Sequence, residues 1–369
     1  MSSVWLPCGD YHQNYREDQG WWQTKFIKGK MILLLLFVFI GIPLAPKDWM
    51  FDVVGVATMV GYTAMGALGV QLLIGFAGLI TLGHAAFIAV GAYTSTLLVL
   101  QFPWPHFITQ WGLAYPISIV VAGVVAGIWS VLFGLPSAKV KGFYLILTTM
   151  AAQFITVDFI LTQYVSQIGG RGQAFSLPPG TIKIGPWTID SDIKIYYVMI
   201  GLLTLMVIIL ANLLRSKPGR AWVAIRDNDI AAEALGINIV WYKLLAFFVA
   251  GFMGGIAGAF WVSNTAALSP EHFPWFWSLW LVGVILIGGV GSIHGAIFGS
   301  IFMVVIMELL QLAVIPLSEY YPKLLVDFAY LKDMAFGLAI CAFLIYEPNG
   351  LAYRWWQVKN YFNLWPFSY

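Results

Sequence analysis

Apolar stretches close to twenty residues long follow one another from Met31 to Tyr346, separated only by short polar or glycine-rich joints. A helix crosses a bilayer with about 20 mostly apolar residues. The spacing predicts such helices over about 31–46, 52–74, 84–101, 112–135, 143–164, 196–214, 241–262, 277–292, 295–316 and 331–347. The stretches are continuous and do not alternate every second residue, which excludes a transmembrane β-barrel. Of all residues 60% are apolar and only 10% charged, too few charges to cover a water-soluble surface. A soluble enzyme and a disordered chain are therefore excluded, and a net charge of +2 gives no reason to expect nucleic acid as a partner. The expected fold is an all-α polytopic membrane protein of about ten transmembrane helices, with two glycine-broken segments in pseudo-repeated halves.

Three regions follow from this pattern: an N-terminal segment over 1–30, a transmembrane domain over 31–347 and a C-terminal tail over 348–369. The first segment is polar and aromatic, with Trp21 and Trp22 beside Lys25, Lys28 and Lys30. It reads as a tail at the membrane interface or as an unstructured one. With the N-terminus inside, Arg16, Lys25, Lys28, Lys30, Lys139, Lys141, Arg215, Lys217, Arg220, Arg226, Lys243, Arg354 and Lys359 are cytoplasmic. Lys47, Arg171, Lys183, Lys194, Lys323 and Lys332 are then outside. That asymmetry of thirteen to six satisfies the positive-inside rule and puts both termini in the cytoplasm. Two connections are too long to be turns: an outer one over 165–195, with a strand-like Thr181–Ile184, and an inner one over 215–243.

The chain carries no phosphate-cradling loop, no His-Glu-x-x-His and no Gly-x-Ser-x-Gly, and its histidines are scattered. Cys8 and Cys341 are far apart and suggest neither a disulfide framework nor a metal site. No cofactor is expected on this chain. Glycine is more informative. Gly75, Gly78 and Gly83, the last followed by His84, interrupt the first half, and Gly288, Gly289 and Gly291 interrupt the second. Breaks in corresponding halves point to a transporter whose path runs between them. The spacings Gly251/Gly255, Gly254/Gly258, Gly291/Gly295 and Gly295/Gly299 fit close helix packing equally well. Gln71, Gly75, Gly78, Thr81, Gly83, His84, Gln153, Gly289 and Gly291 are the candidate path residues. Asp158 and Glu308 fall at membrane depth, where an ionisable group either lines a cavity or bonds to a neighbouring helix. The second role is the expected one.

The inner connection reads as a two-turn helix, Ile230–Gly236, between two turns. Ser216-Lys-Pro-Gly-Arg220 marks its approach, Asn228 or Asp229 can cap it, and Gly236 can end it in a left-handed conformation. So short a helix is not stable alone, so it is either held by a cytoplasmic partner or is a solvated loop.

At Gly75–Phe87 with Gly91–Tyr93, at Gly219–Ile237 and at Ile287–Ser292, the chain resembles the LivM-type permeases of branched-chain amino acid ABC importers. The resemblance covers about residues 50–350 and leans to the LivM type over its LivH sister. It implies a multi-pass subunit in a bacterial inner membrane, not itself an enzyme. The implied partners are a second related permease, two ABC ATPase subunits that bind ATP and Mg, and a periplasmic solute-binding protein, with membrane lipid around them. Arg226, Asp227, Asp229, Ala232, Glu233 and Gly236 match the stretch that couples to the ATPase. The chain departs from the family at Ile168–Gln173 and at Gly69-Val-Gln71, where substrate identity could be set. The implied solute is a branched-chain amino acid or a related small amino acid or amide. A stand-alone ion-coupled transporter and a non-transport assembly factor are the alternatives.

The charge asymmetry has a direct check. A cysteine at Lys217 should be labelled only after the inner face is opened, and one at Lys183 should be labelled from outside. The reverse accessibility would overturn the orientation.

Overall fold

The computed structural model describes residues 25–44, 52–138, 140, 142–165, 175–176, 183–185, 187–189, 191–265, 267–318 and 328–364. Among the described residues, fourteen α-helices in chain order are α1 Lys25–Leu36, α2 Val53–Val70, α3 His84–Leu100, α4 His106–Gln110, α5 Ala114–Ala138, α6 Phe143–Phe154, α7 Asp192–Arg215, α8 Lys217–Asp227, α9 Asp229–Ala234, α10 Ile239–Thr265, α11 Trp275–Gly288, α12 Ile293–Ser318, α13 Phe328–Tyr346 and α14 Gly350–Leu364. Three of them continue as π-helix: α1 over Phe37–Gly41, α2 over Gln71–Phe76 and α6 over Ile155–Val165. Two small antiparallel ladders lie in the loops, Phe175–Ser176 with Ala267–Leu268 and Lys183–Ile184 with Trp187–Thr188.

Seven helices among the described residues are long and apolar enough to cross a membrane, or eight if the pair bent by 45° between α13 and α14 counts as one. Two more apolar helices are shorter, Ile32–Gly41 and His84–Leu100. At 1.5 Å per residue the first spans only about 15 Å, half of a bilayer core. The ten expected crossings thus correspond to seven or eight full-length spans and two short helices. The predicted 277–292 stretch also stops earlier, at Gly288, because the chain turns there.

Helix α10 is the spine. It packs against α5, α3 and α2, and its glycines let backbones touch: a Cβ on Gly258 would stand 1.9 Å from Ile88 O, and one on Gly91 2.3 Å from Gly255 Cα. Ser130 on α5 donates to Phe247 O at 2.6 Å, Ser95 meets Ser118 at 3.0 Å, and Tyr115 meets Ser263 at 2.7 Å. Small residues and hydroxyls thus make the closest contacts, Phe87, Phe247 and Phe260 fill the space between them, and Ile128, Leu132, Leu205, Leu338 and Leu344 are exposed on the outside. Lipid tails are as apolar as leucine, so helices in a bilayer gain by close approach and hydrogen bonds rather than by hiding large side chains.

Two expectations for ionisable residues are corrected. The buried stripe of α6 and its extension, which includes Thr149, Gln153, Thr156 and Leu161, passes Asp158 by and leaves it exposed. Glu308 is half-buried on the open side of α12 with Gln311 exposed beside it. Neither acid has a hydrogen bond or ion pair among the described residues, so neither is an inter-helix tie among them. The C-terminal tail is not loose over its whole length: α14 packs on α11 and α12. Within the outer connection, Gly169–Gly172 and Pro178–Ile182 lie outside the described residues, and the described part of the expected strand, Lys183–Ile184, is a strand.

The packing at α10 can be tested directly. Gly258→Ala forces α3 and α10 apart and should cost about 1–3 kcal/mol. Gly201→Ala, where no atom lies within 4 Å of the added Cβ, should cost nothing. Thermal unfolding of the detergent-solubilised protein checks this, and equal midpoints for the two variants would contradict the packing.

Candidate functional site where two helix breaks meet

The first break begins where α2 widens into its π segment. The helix ends with Ala77 N donating to Leu72 O at 3.0 Å and Leu79 N to Leu73 O at 2.8 Å. Gly78 then takes a φ of +70° and the chain runs without secondary structure to α3. The freed backbone groups find partners in side chains. Leu82 N donates to Thr149 Oγ1, Gly83 N to Thr81 Oγ1, and Ala85 N, in the first turn of α3, to Ser278 Oγ at 2.9 Å. Gly83 is required by closeness, since a Cβ there would lie 2.2 Å from Thr149 O. Inside a bilayer no water substitutes for such partners, so each hydroxyl is part of what allows the helix to stop.

The second break follows α11. Gly289 and Gly291 adopt φ of +114° and +83°, values that side-chain-bearing residues rarely take, and α12 restarts at Ile293. The turn exposes the carbonyls of Gly289 and Ser292, and both are satisfied from the first break. Gln71 Nε2 donates to Gly289 O at 3.1 Å and to Ser292 O at 2.8 Å. Gln71 is fully buried. The two breaks also touch through backbone, because a Cβ on Gly75 would lie 2.7 Å from Gly291 N. Helix α14 abuts the same turn: Gly350, at φ +73°, comes so near that its Cβ would lie 2.5 Å from Gly289 Cα.

The inner connection lies against this junction. Sequence reading took Ser216–Arg220 as a turn, but Lys217–Asp227 is helical, with Pro218 in its first turn, where a missing N–H costs nothing. Gly219 permits the sharp reversal from α7, and buried Trp222 anchors the helix through Nε1 to Tyr242 O at 2.7 Å. Arg226 Nη1 donates to Gly75 O. Asn228 caps α9 as expected, accepting from Ala231 N at 3.1 Å. Gly236, at φ +82°, closes α9 with Ile237 N to Ala232 O and Gly236 N to Glu233 O, the bonding of a Schellman end. Ala232 is buried, whereas Glu233 is exposed and Ile230 and Leu235 are 73% and 81% exposed.

A cavity of about 380 Å³ opens beside Gly78, bounded by Val140, Leu145, Arg226, Asp227, Asp229 and Lys243. Lys243 is buried, and the sequence offered it only as one more inner charge. On the other side of Thr149 along α6, Gln153 Nε2 donates to Phe273 O at 3.0 Å. His84 is fully buried against Gly69 and Gly254. Gln71 Oε1, Gln153 Oε1, both His84 nitrogens and the Tyr93 hydroxyl are buried without a hydrogen-bond partner among the described residues. Tyr93 ends the first stretch that carries the resemblance but was not among the candidate path residues. The structure thus brings Gln71, Gly75, Gly78, Gly289, Gly291 and Arg226 together. It sets Thr81, Gly83 and His84 on the neighbouring strand of chain, and Gln153 further along α6.

A family model described as "Branched-chain amino acid transport system / permease component" matches residues 53–346. The chain is 28% identical over 350 residues to the high-affinity branched-chain amino acid transport system permease protein LivM of Salmonella typhimurium, covering 88% of this chain and 75% of that protein. It is 25% identical to a probable LivM permease of Methanocaldococcus jannaschii, over 77% and 88% of the two chains. It is also 25% identical to the LivH permease of Salmonella typhimurium, over 79% and 91%. No solved structure matches the chain. The family match spans both helix breaks and the connection between them, and the chain belongs to the branched-chain amino acid transport system permease family.

Proposed function

We propose that this chain is a transmembrane subunit of an ATP-driven importer that moves branched-chain amino acids, or a related small amino acid or amide, across the bacterial inner membrane. ATP and Mg are bound and hydrolysed by two separate ABC ATPase subunits. A second related permease completes the path, and a periplasmic binding protein delivers the solute. Both termini lie in the cytoplasm, and the two glycine-broken halves behave as pseudo-repeats that shift against each other.

The observation that carries this reading is the exposed face of α9. Six residues, capped at both ends, hold a helix that presents Ile230, Glu233 and Leu235 outward. Large apolar side chains at the tip of a charged connection favour a protein partner over water. Likeness to LivM and to LivH supports a paired permease. The orphaned polar atoms support a path through Gln71, His84 and Gln153. A buried polar atom without a partner is costly, and a passing zwitterion or water would satisfy it when the breaks part. Aliphatic walls with neutral polar groups let an amino acid leave again, where a fixed charge would retain it.

ATPase measurement on the reconstituted complex tests the reading. Hydrolysis should rise when the binding protein is loaded with leucine, isoleucine or valine, and the chain alone should not transport on an ion gradient. Glu233→Arg reverses the charge of the docking face. Gly236→Val places a β-branched residue at a left-handed position, which costs on the order of 1–3 kcal/mol. Both should lose stimulation by the binding protein, and native stimulation in both would remove α9 as the docking element.

A further inference from the structure

Arg226 differs from the other residues of the inner connection in where its side chain goes. Arg226 is exposed, as Glu233, Ile230 and Leu235 are, but its Nη1 turns inward and donates to Gly75 O, a carbonyl in the last turn of the segment that ends α2. A helix leaves its final carbonyls without internal partners and with negative character, so a guanidinium there is a fitting cap. The same nitrogen lies 3.1 Å from the point where a Cβ on Gly291 would stand. Gly78 admits the rest of the residue, since its own Cβ would come within 3.2 Å of Arg226 Cα and Cβ. One side chain therefore reaches both helix breaks, and one residue, Asn228, joins its helix to α9.

We propose that Arg226 is a positioning residue of the transport cycle rather than a contact for the ATPase. It clamps the two breaks together while α8 and α9 hold their present place, and it releases them when α9 is displaced. This rests on the importer reading above, in which the ATPase moves α9. Once Nη1 withdraws, Gly75 O loses its charged donor. The Gln71 amide is then the side-chain hydrogen-bond donor that still joins the two breaks. The short link at Asn228 makes the movement of α9 and the withdrawal of Arg226 one event. An arginine suits the task because its charge persists at every working pH and its fork can serve one carbonyl while lying along another backbone.

Two measurements test the clamp. In the purified full chain, without partners, hydrogen exchange over residues 75–79 and 289–293 should quicken about tenfold or more in Arg226→Ala, the factor that the loss of one charge-assisted hydrogen bond represents. In the complex in proteoliposomes, Arg226→Ala should retain the ATPase subunits. The ratio of hydrolysis with and without loaded binding protein should fall towards one, and uptake should fall by about tenfold or more. Arg226→Lys, which still offers a donor to Gly75 O, should recover part of that ratio. A merely structural role would lower complex yield and uptake together and leave the ratio at its native value, which would overturn the proposal. Loss of the ATPase subunits from Arg226→Ala would also overturn it, by making Arg226 a docking contact. Should the native chain retain no ATPase subunits, the importer reading fails, and unchanged exchange in Arg226→Ala would separately sink the clamp.

Discussion

A helix that stops inside a bilayer must hand its free carbonyls to something other than water, and here both carbonyls of the second break go to the amide of Gln71. That bond pair fixes much else. It sets the π-helical widening of α2 against the turn after Gly288, and so demands glycine at 75 for closeness and at 289 and 291 for their positive φ. Gln71 has one amide group, and both its hydrogens are committed, which leaves its Oε1 buried and unpaired. A leucine of similar size would strand the buried Gly289 carbonyl, at about 1–3 kcal/mol, while Ser292 O would keep the Gly295 N–H. The junction is thus both a structural necessity and a place where polarity is held in reserve.

Around this junction the fold follows the logic of a lipid solvent. Glycine, alanine and serine give α10 its closest backbone contacts, with Phe247, Met253 and Phe260 buried between them, and Ile128, Leu132 and Leu205 face out. The result is a spine beside a junction where two chain breaks meet through glycine backbone and the Gln71 amide, with Leu72, Leu73, Ala77 and Leu79 buried in the core next to them. Helix α12 adds a second consideration. Its open face carries half-buried Glu308, which has no hydrogen bond or ion pair among the described residues.

Much of this was legible in the sequence, because the signals are local. The glycine clusters, the Asn228 cap and the left-handed Gly236 each depend on residues within a few positions. Three features were not legible. The helix over Lys217–Asp227 hides behind Pro218 and Gly219, which read as a turn but occupy a first helical turn and a close approach to Leu214. The bonds from Gln71 to Gly289 and Ser292 join residues more than two hundred positions apart, and no pattern in one sequence announces such a pair. The roles of Asp158 and Glu308 depend on which face of a helix is covered, and apolar content all round a membrane helix conceals that phase. The family resemblance grouped Arg226 with the residues of α9, while its geometry ties it to the breaks.

The central claim is that the two breaks, held together here through Gln71 and the backbone of Gly75 and Gly291, part during the transport cycle. Ile80 and Val290 are exposed residues on the two breaks and can carry spin labels on cysteines, with Cys8 and Cys341 replaced by serine. The separation of the two labels should lengthen when the assembled complex is trapped with ATP, and it should return to its short value after nucleotide is removed. The same short separation in every nucleotide state, in a complex that still takes up solute, would contradict the account.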